Sequence, residues 1–101
     1  MASLEALSMV DFAPLVGQAF RIRLEGVEPI DLELETVSAA GRSPREGDRT
    51  PFSLLFLGPV SSRYLLQHTY TLEHEALDAL DLFIVPLGPE RGRMRYQAII
   101  A

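Results

Sequence analysis

The sequence predicts an all-β domain: a six-strand antiparallel meander, strongly curved or closed into a small barrel, with a short helical N-terminal segment. The first observation behind this fold class is the period-two alternation of apolar and polar residues within 18–37. The second is a set of short apolar runs in 52–100, each bounded by Gly, Pro or other turn-forming residues. Closure into a barrel would also remove the two free edges of the sheet.

The length and composition indicate one domain. A chain of 101 residues has the usual length of a single domain. We divide it into a helical segment at 1–17, a β-hairpin at 18–37 and a four-strand meander at 52–100. The sequence has no cysteine, which excludes disulfides, thiolate catalysis and Cys-ligated zinc. Stability therefore has to come from packing, alone or together with oligomerisation.

The charge and hydropathy of the chain limit its partners. The formal net charge is −5 at pH 7, which makes duplex nucleic acid and anionic membranes poor partners. The N-terminus lacks the basic stretch and apolar stretch of a signal peptide. No apolar run approaches the ~20 residues needed to cross a bilayer. We therefore expect a cytoplasmic protein with no nucleic-acid partner, no membrane partner and no cofactor.

The N-terminal segment carries two short helical signals. Ser3 is a candidate cap for a first turn of helix. Asp11 is a candidate cap for a second turn, with Pro14 in its permitted first positions and Gly17 as its stop. The pattern predicts two short turns of helix and not one long helix.

The clearest signal in the chain is a hairpin. Apolar and polar residues alternate over 20–24 and again over 30–34, on either side of a loop at 26–29 that contains Gly and Pro. One face of this hairpin is apolar, and the other sets an arginine-bearing strand beside an acidic one. Residues 39–51 then form a loop by composition, and a loop of this length is either functional or mobile.

Four further strands are predicted after this loop. Their apolar runs lie at 52–57, 68–74, 82–85 and 94–100. The Gly-Pro dipeptides at 58–59 and 88–89 predict firm strand ends, because proline donates no ladder hydrogen bond. Pro86 within the later run predicts an edge strand or a bulge at that point.

Some apolar residues of these strands point away from the predicted core. A two-layer count leaves five of them without cover: Leu55, Leu57, Phe83, Val85 and Ile99. An apolar group of this size needs a cover. The N-terminal segment is one candidate and another subunit is the other, so these residues form a candidate interaction surface.

Loop arginines extend this candidate surface. Strands in up-and-down order would bring the loops 26–29 and 88–93 to the same end as the connection at 59–67. That end would collect Arg63, Arg91 and Arg93 as a basic rim able to pair with an acidic partner surface. The alternative is that these are ordinary loop arginines.

The two histidines raise the question of a ligand or a reaction. His68 and His74 flank one predicted strand and share a face with Tyr70, so in a hollow barrel the three would line a cavity. The histidines are roughly 20 Å apart by strand rise, which is too far to share a metal ion. Glu73 and Glu75 point to the opposite face from His74. No catalytic, cofactor-binding or metal-binding residue is predicted.

The second half of the chain carries a motif: Phe-x-Leu-x-Phe-x-Gly-Pro, then Leu-x-Gln-x-x-Tyr-x-Leu-x-His, then Leu-Phe-Ile-Val-Pro-x-Gly-Pro and Tyr-x-Ala. The matching residues are Phe52, Leu54, Phe56, Gly58, Pro59, Gln67, Tyr70, Leu72, His74, Leu82, Phe83, Pro86, Gly88, Pro89, Tyr96 and Ala98. This pattern resembles a family of small bacterial proteins classed as a domain of unknown function. Such relatives tend to occur with phage-tail-like proteins, including tail-collar types, so the resemblance implies a structural or assembly role and brings no catalytic residues.

The residues predict a non-enzymatic structural or protein-interaction module, and the resemblance implies an accessory of a phage-tail-like assembly as one form of it. Its partner would be another protein or a second copy of the chain, as in a homo-oligomer. The first alternative is a small-ligand-binding β-barrel lined by His68, Tyr70 and His74. The second is a hydrolytic enzyme, which would require His74 to find a nucleophile on another strand.

Overall fold

The computed structural model describes residues 7–40, 51–60 and 64–100. One short α-helix and a 3₁₀ turn precede six β-strands. The elements are α1 (Met9–Phe12), the 3₁₀ turn (Ala13–Leu15), β1 (Ala19–Ile22), β2 (Ile30–Ala39), β3 (Phe52–Val60), β4 (His68–His74), β5 (Asp78–Glu90) and β6 (Arg93–Ile100). The first helical turn predicted at Ser3, the loop residues 41–50 and Arg63 lie outside the described residues.

The strands form a closed barrel in the order β1-β2-β3-β6-β5-β4, and every neighbouring pair is antiparallel. The predicted fold class, an all-β antiparallel barrel with a short helical segment, is confirmed. The predicted meander order is wrong at one step, because β3 pairs with β6 and not with β4. The chain therefore makes two three-strand meanders joined by a crossover, which is a Greek-key arrangement.

The outer surface of the barrel has two sides, here called walls, and the long strands β2 and β5 each contribute to both. β5 pairs with β4 over Asp78–Ile84 and then with β6 over Val85–Glu90. β2 pairs with β1 over Ile30–Glu33 and with β3 mainly beyond that point, with a register shift between Leu34 and Thr36. Bends and bulges of this kind let a strand turn a barrel corner. One wall thus centres on β3 and β6, and the other on β1 and β4.

Apolar side chains fill the interior. Among the described residues no polar or charged side chain is buried. The buried residues are Leu7, Phe12, Leu15, Phe20, Ile22, Leu32, Leu34, Phe52, Leu54, Phe56, Leu65, Leu72, Leu77, Leu80, Leu82, Ile84, Tyr96, Ala98 and Ile100. The predicted alternation is confirmed in β3, where Phe52, Leu54 and Phe56 are fully buried and the residues between them face outward.

The N-terminal segment closes one end of the barrel. Phe12 is fully buried with its ring centroid 5.7 Å from that of Phe52, and Leu15 belongs to the same core. Val10, on the other side of the short helix, is 77% exposed. The expectation that this segment covers the outward residues of β3, β5 and β6 is wrong for its described part, because its apolar side chains insert into the barrel end.

Capping and stop residues set the limits of the N-terminal helical segment. The helix α1 begins after Ser8, whose backbone N–H donates to Asp11 Oδ2 at 2.8 Å. Asp11 therefore lies inside the first turn as the acidic half of a capping box, and not before a second helix as the sequence predicted. Pro14 lies at the start of the 3₁₀ turn, and Gly17 follows with φ of +91°, as predicted for a stop.

The Gly-Pro dipeptides mark irregularities within strands and not their ends. β3 continues through Gly58 and Pro59 to Val60, with a register shift between Leu57 and Val60. β5 likewise continues to Glu90, with a register shift between Pro86 and Gly88. The bulge predicted at Pro86 is confirmed. The firm strand ends are corrected, because a bulge lets proline stay in a strand without breaking the ladder elsewhere.

Two tyrosine hydroxyls hold the crossover between β3 and β4. The backbone N–H of Leu65 donates to Tyr96 Oη at 2.8 Å, and both residues are buried. Tyr70 Oη donates to the carbonyl of Leu66, also at 2.8 Å. Leu65 thus covers the barrel end opposite the N-terminal segment, and side chains of β4 and β6 hold the described part of the crossover at Leu65 and Leu66.

Replacing Tyr96 with phenylalanine is expected to lower the free energy of unfolding by about 1–2 kcal/mol at neutral pH, because the buried Leu65 N–H loses its acceptor. Tyr70→Phe is the matched control. It should cost less, because the carbonyl of Leu66 belongs to a residue that is 70% exposed and can bind water instead. Urea denaturation of the three proteins measures the difference. Equal losses for the two variants would contradict the assigned role of Tyr96.

The same residue predicts a loss of stability at alkaline pH. Burial raises the pKa of Tyr96 above its ordinary value of 10.0, and this outweighs the lowering by the Leu65 hydrogen bond. The folded state therefore favours the neutral phenol. This contribution to stability is fully present below pH 10.0 and is lost as the pH rises from there through the raised pKa. Thermal melts from pH ~8 to ~11 should fall less steeply for Tyr96→Phe than for the parent.

Candidate interaction surface

The wall centred on β3 and β6, here called the apolar wall, gathers the outward apolar residues. Gln97 lies at its centre, paired with Leu55 on β3 and with Val85 on β5. Leu57 and Ile99 occupy the next outward positions of β3 and β6, two residues from Leu55 and Gln97 respectively. Phe83, two residues before Val85, stands at the corner where β5 passes to the other wall. The structure therefore brings together the five apolar residues that the sequence singled out.

These residues differ in exposure. Ile99 is 61% exposed and Phe83 is 51% exposed, whereas Leu55, Leu57 and Val85 are half-buried by their neighbours on the wall. Single exposed apolar residues are ordinary on protein surfaces, whereas large contiguous apolar patches are typical of interaction sites.

The opposite wall, here called the charged wall, has a different chemistry. Arg21 Nε lies 3.2 Å from Asp31 Oδ1, across the β1–β2 ladder. Arg23 Nε donates to Glu73 Oε1 at 2.6 Å. These groups line an open hollow with Gln18, Ala19, His74, Glu75, Asp78 and Ala79. The predicted pairing of an arginine strand with the neighbouring acidic strand is confirmed by Arg21 and Asp31, whereas Arg23 pairs with Glu73 of β4. These pairs are exposed, so each contributes little to stability.

The predicted basic rim is only partly assembled. Arg93 is not a free loop cation: its Nε donates to the carbonyl of Gly58 at 2.7 Å, and its terminal nitrogens lie 3.4 Å from Glu33 Oε1. Arg91 is exposed in the turn between β5 and β6, with φ of +53°. Arg63 lies outside the described residues. Of the two described rim arginines, Arg93 therefore braces β6 against the neighbouring strands, and Arg91 is exposed in its loop.

The histidines do not line a cavity inside the barrel. His68 is exposed, and its ring packs edge-on against Tyr70 with centroids 5.4 Å apart. His74 is half-buried, and its ring lies 4.8 Å from that of Phe20. Their predicted side of β4 is correct, but the interior next to them is occupied by the buried apolar side chains. The cavity lining predicted from His68, Tyr70 and His74 is therefore corrected.

Both ring nitrogens of His74 are engaged. The backbone N–H of Ala76 donates to Nδ1 at 3.0 Å, so Nδ1 acts as the acceptor. The proton then resides on Nε2, which lies 2.7 Å from Gln18 Oε1 and donates to it. This arrangement ties the β4–β5 turn to the start of β1 and gives His74 a structural task. Within the described residues, no three His, Asp or Glu side chains cluster in a way that could hold a metal ion.

Arg95 is a feature of the apolar wall that sequence reasoning did not single out. It lies on β6 between Leu57 of β3 and Gly88 of β5. Its Nε is buried and has no hydrogen-bond partner, and the nearest carboxylate oxygen, Glu90 Oε2, lies 3.8 Å away. That separation is beyond hydrogen-bond length. The strand parity of β6 could have placed Arg95 beside Ile99, but the missing partner is visible only in three dimensions.

Together, these features define a small, closed antiparallel β-barrel with a filled interior, one charged wall and one apolar wall. The chain belongs to the family described as Domain of unknown function (DUF6916), whose sequence model matches residues 7–100. The predicted resemblance to a domain of unknown function is confirmed, and bacterial origin and a phage-tail association stay predictions. No curated protein and no solved structure was found to match the chain. In the part of the chain that the structure describes, no helix has the length and apolar character to span a bilayer.

Proposed function

We propose that this protein is a non-enzymatic protein-interaction module whose contact surface is the apolar wall. The observation that carries the proposal is the contrast between the two outer walls of one small barrel. The charged wall pairs its arginines with carboxylates, whereas the apolar wall presents Phe83 and Ile99 to solvent beside half-buried leucine and valine. Water-exposed apolar groups of this kind stabilise a complex when a partner removes them from water.

The interior supports the same proposal by what occupies it. Barrels that bind small molecules enclose a cavity, whereas apolar side chains from all six strands and from the N-terminal segment fill this one. Function then resides on the outside of the barrel. The specific form that we propose is an accessory of a phage-tail-like assembly in the cytoplasm, supported by the motif resemblance described above.

The test compares two wall variants, Phe83→Ser and Ile99→Thr, with a control of similar exposure, Val27→Thr, in the β1–β2 connection. All three should fold with stabilities within about 0.5 kcal/mol of the parent, because the side chains are exposed. The parent is first examined by size-exclusion chromatography with light scattering over a wide concentration range. Each protein is then immobilised, and the proteins retained from an extract of the source cells are quantified by mass spectrometry.

The expected result is that the parent and Val27→Thr retain the same binding, by self-association or by capture of another protein, and that the wall variants lose about tenfold or more. A loss of binding of equal size in Val27→Thr would show that the binding is non-specific. A parent that neither associates with itself nor retains any protein that the wall variants lose would overturn the proposed function.

A further inference from the structure

The apolar wall contains one cation without a hydrogen-bond acceptor, and this determines the chemistry of its partner. On the described part of the chain, Arg95 donates no hydrogen bond, while Arg21, Arg23 and Arg93 each donate to an acidic side chain. Its neighbours on the wall are apolar or carry no charge, apart from Glu90. On the described part of this wall, Arg95 is therefore the charged group with unused hydrogen-bonding capacity.

Arg95 has one inaccessible donor and a partly exposed remainder. Its Nε has no accessible surface, so neither water nor a partner can reach that donor, whereas the side chain as a whole is 37% exposed. A guanidinium has five N–H donors in a planar fork. Glu90 lies at 3.8 Å and can accept at most a part of them. Arg95 lies between Leu57 of β3 and Gly88 of β5, so the exposed part of its side chain belongs to the apolar wall.

We infer that the partner of the apolar wall is a protein segment that places a carboxylate on Arg95 and apolar side chains over Leu55, Val85 and Ile99. This inference rests on the proposed function, since it names the chemistry that the same wall recognises. An arginine fork binds a carboxylate through two parallel hydrogen bonds, which are stronger and more directional than neutral ones. Burial beneath a partner strengthens these bonds further, because water no longer competes for the donors.

A second copy of the chain is a less suitable occupant. A second copy would bring a further formal charge of −5 to the complex, whereas a short segment brings the charge of a single carboxylate. The neighbouring carboxylates Glu33 and Glu90 already face Arg93 and Arg95 of their own chain. A separate acidic and apolar segment provides the missing carboxylate without drawing these away.

The test uses two capped peptides, acetyl-Leu-Ala-Asp-Ala-Leu-amide and the same peptide with Asn in place of Asp. In an extended peptide the two leucines and the central residue face the same side, so all three can contact the wall. Asn has the shape of Asp without its charge. Binding is followed by NMR on the full chain, through the Nε–Hε signal of Arg95 and the methyl signals of Leu55, Leu57 and Val85. The protein variants are Arg95→Gln, Arg95→Lys and, as a control on the charged wall, Arg21→Gln.

The expected result is that the Asp peptide shifts the Arg95 and methyl signals together and binds about tenfold more tightly than the Asn peptide. Arg95→Gln should remove this preference, Arg95→Lys should restore only part of it, and Arg21→Gln should leave it unchanged. Equal binding of both peptides with methyl shifts would overturn the carboxylate inference and leave the proposed function standing. If the methyl signals shift with protein concentration in the absence of peptide, the wall binds a second copy of the chain, and the carboxylate inference is again overturned.

If neither peptide moves any wall signal, the inference is overturned, and the capture experiment with Phe83→Ser and Ile99→Thr then decides the proposed function separately. Arg95→Gln should fold normally, because Arg95 makes no hydrogen bond that the barrel would lose. The melting temperature of each variant confirms this before peptide is added.

Discussion

Replacing Phe12 with alanine is expected to lower the free energy of unfolding by about 3–5 kcal/mol. Phe12 is fully buried and packs on Phe52, so truncation leaves a cavity at the end of the barrel. Alanine favours helix, which means that α1 itself loses nothing in backbone propensity. A domain of this size has a total stability of only about 5–15 kcal/mol, so the variant should be close to unfolding at 37 °C.

Val10→Ala is the matched control, because Val10 lies in the same short helix and is 77% exposed. Its cost should stay within about 0.5 kcal/mol. Urea denaturation followed by circular dichroism measures both. If both variants lowered the free energy of unfolding by similar small amounts, the N-terminal segment would contribute little to the barrel core, and its assigned role in closing the barrel end would be wrong.

Most of the secondary structure could be predicted from the sequence because strand parity is local. The alternation in Phe52–Val60 follows directly from the pleat, which alternates side chains between two faces whatever the neighbouring strands are. The limits of β4 at His68 and His74 were also predicted. The order of strands could not be predicted, since β3 pairs with β6 through a ladder between residues about forty apart in sequence, and no local pattern encodes that choice.

The destination of the N-terminal segment is a second non-local feature. Its apolar residues could cover an outer wall or enter the barrel end, and both remove the same apolar area from water. The choice depends on whether the barrel end is open, which in turn depends on how β1 closes onto β4. That closure involves the pairs Arg21–Glu73 and Ile22–Leu72, and a sequence pattern cannot show it.

In the candidate interaction surface, too, local features could be predicted from the sequence and non-local contacts could not. The five apolar residues of the wall were predicted because their parity opposes that of the core. The basic rim was predicted but is only partly assembled, because Arg93 donates to the carbonyl of Gly58, and no local pattern shows that contact. The cavity was predicted for a hollow barrel, whereas buried apolar side chains occupy the interior. Arg95 became recognisable only when its distance to Glu90 was known.

Gly58→Ala is expected to cost about 1–3 kcal/mol, because β3 passes close to a buried ring at this point. A Cβ at position 58 would lie 3.1 Å from Tyr96 Cε2 and 3.5 Å from the carbonyl oxygen of Met94. The ring cannot move away freely, since its hydroxyl accepts the Leu65 N–H at 2.8 Å. In an ordinary strand the same substitution would be neutral or stabilising, because glycine loses more conformational entropy on folding.

A double-mutant cycle with Tyr96→Leu separates these effects. The shorter side chain removes the ring atom that the new methyl group meets, so Gly58→Ala should cost less than about 0.5 kcal/mol in that background, even though Tyr96→Leu is itself destabilising. Chemical denaturation of the four proteins gives the coupling energy. An unchanged cost would place the effect in the backbone of the bulge between Leu57 and Val60. A large coupling energy would show that Gly58 makes room for the ring of Tyr96. The pairing of β3 with β6 at the centre of the apolar wall would then depend on the same tyrosine that holds Leu65 in the connection between β3 and β4.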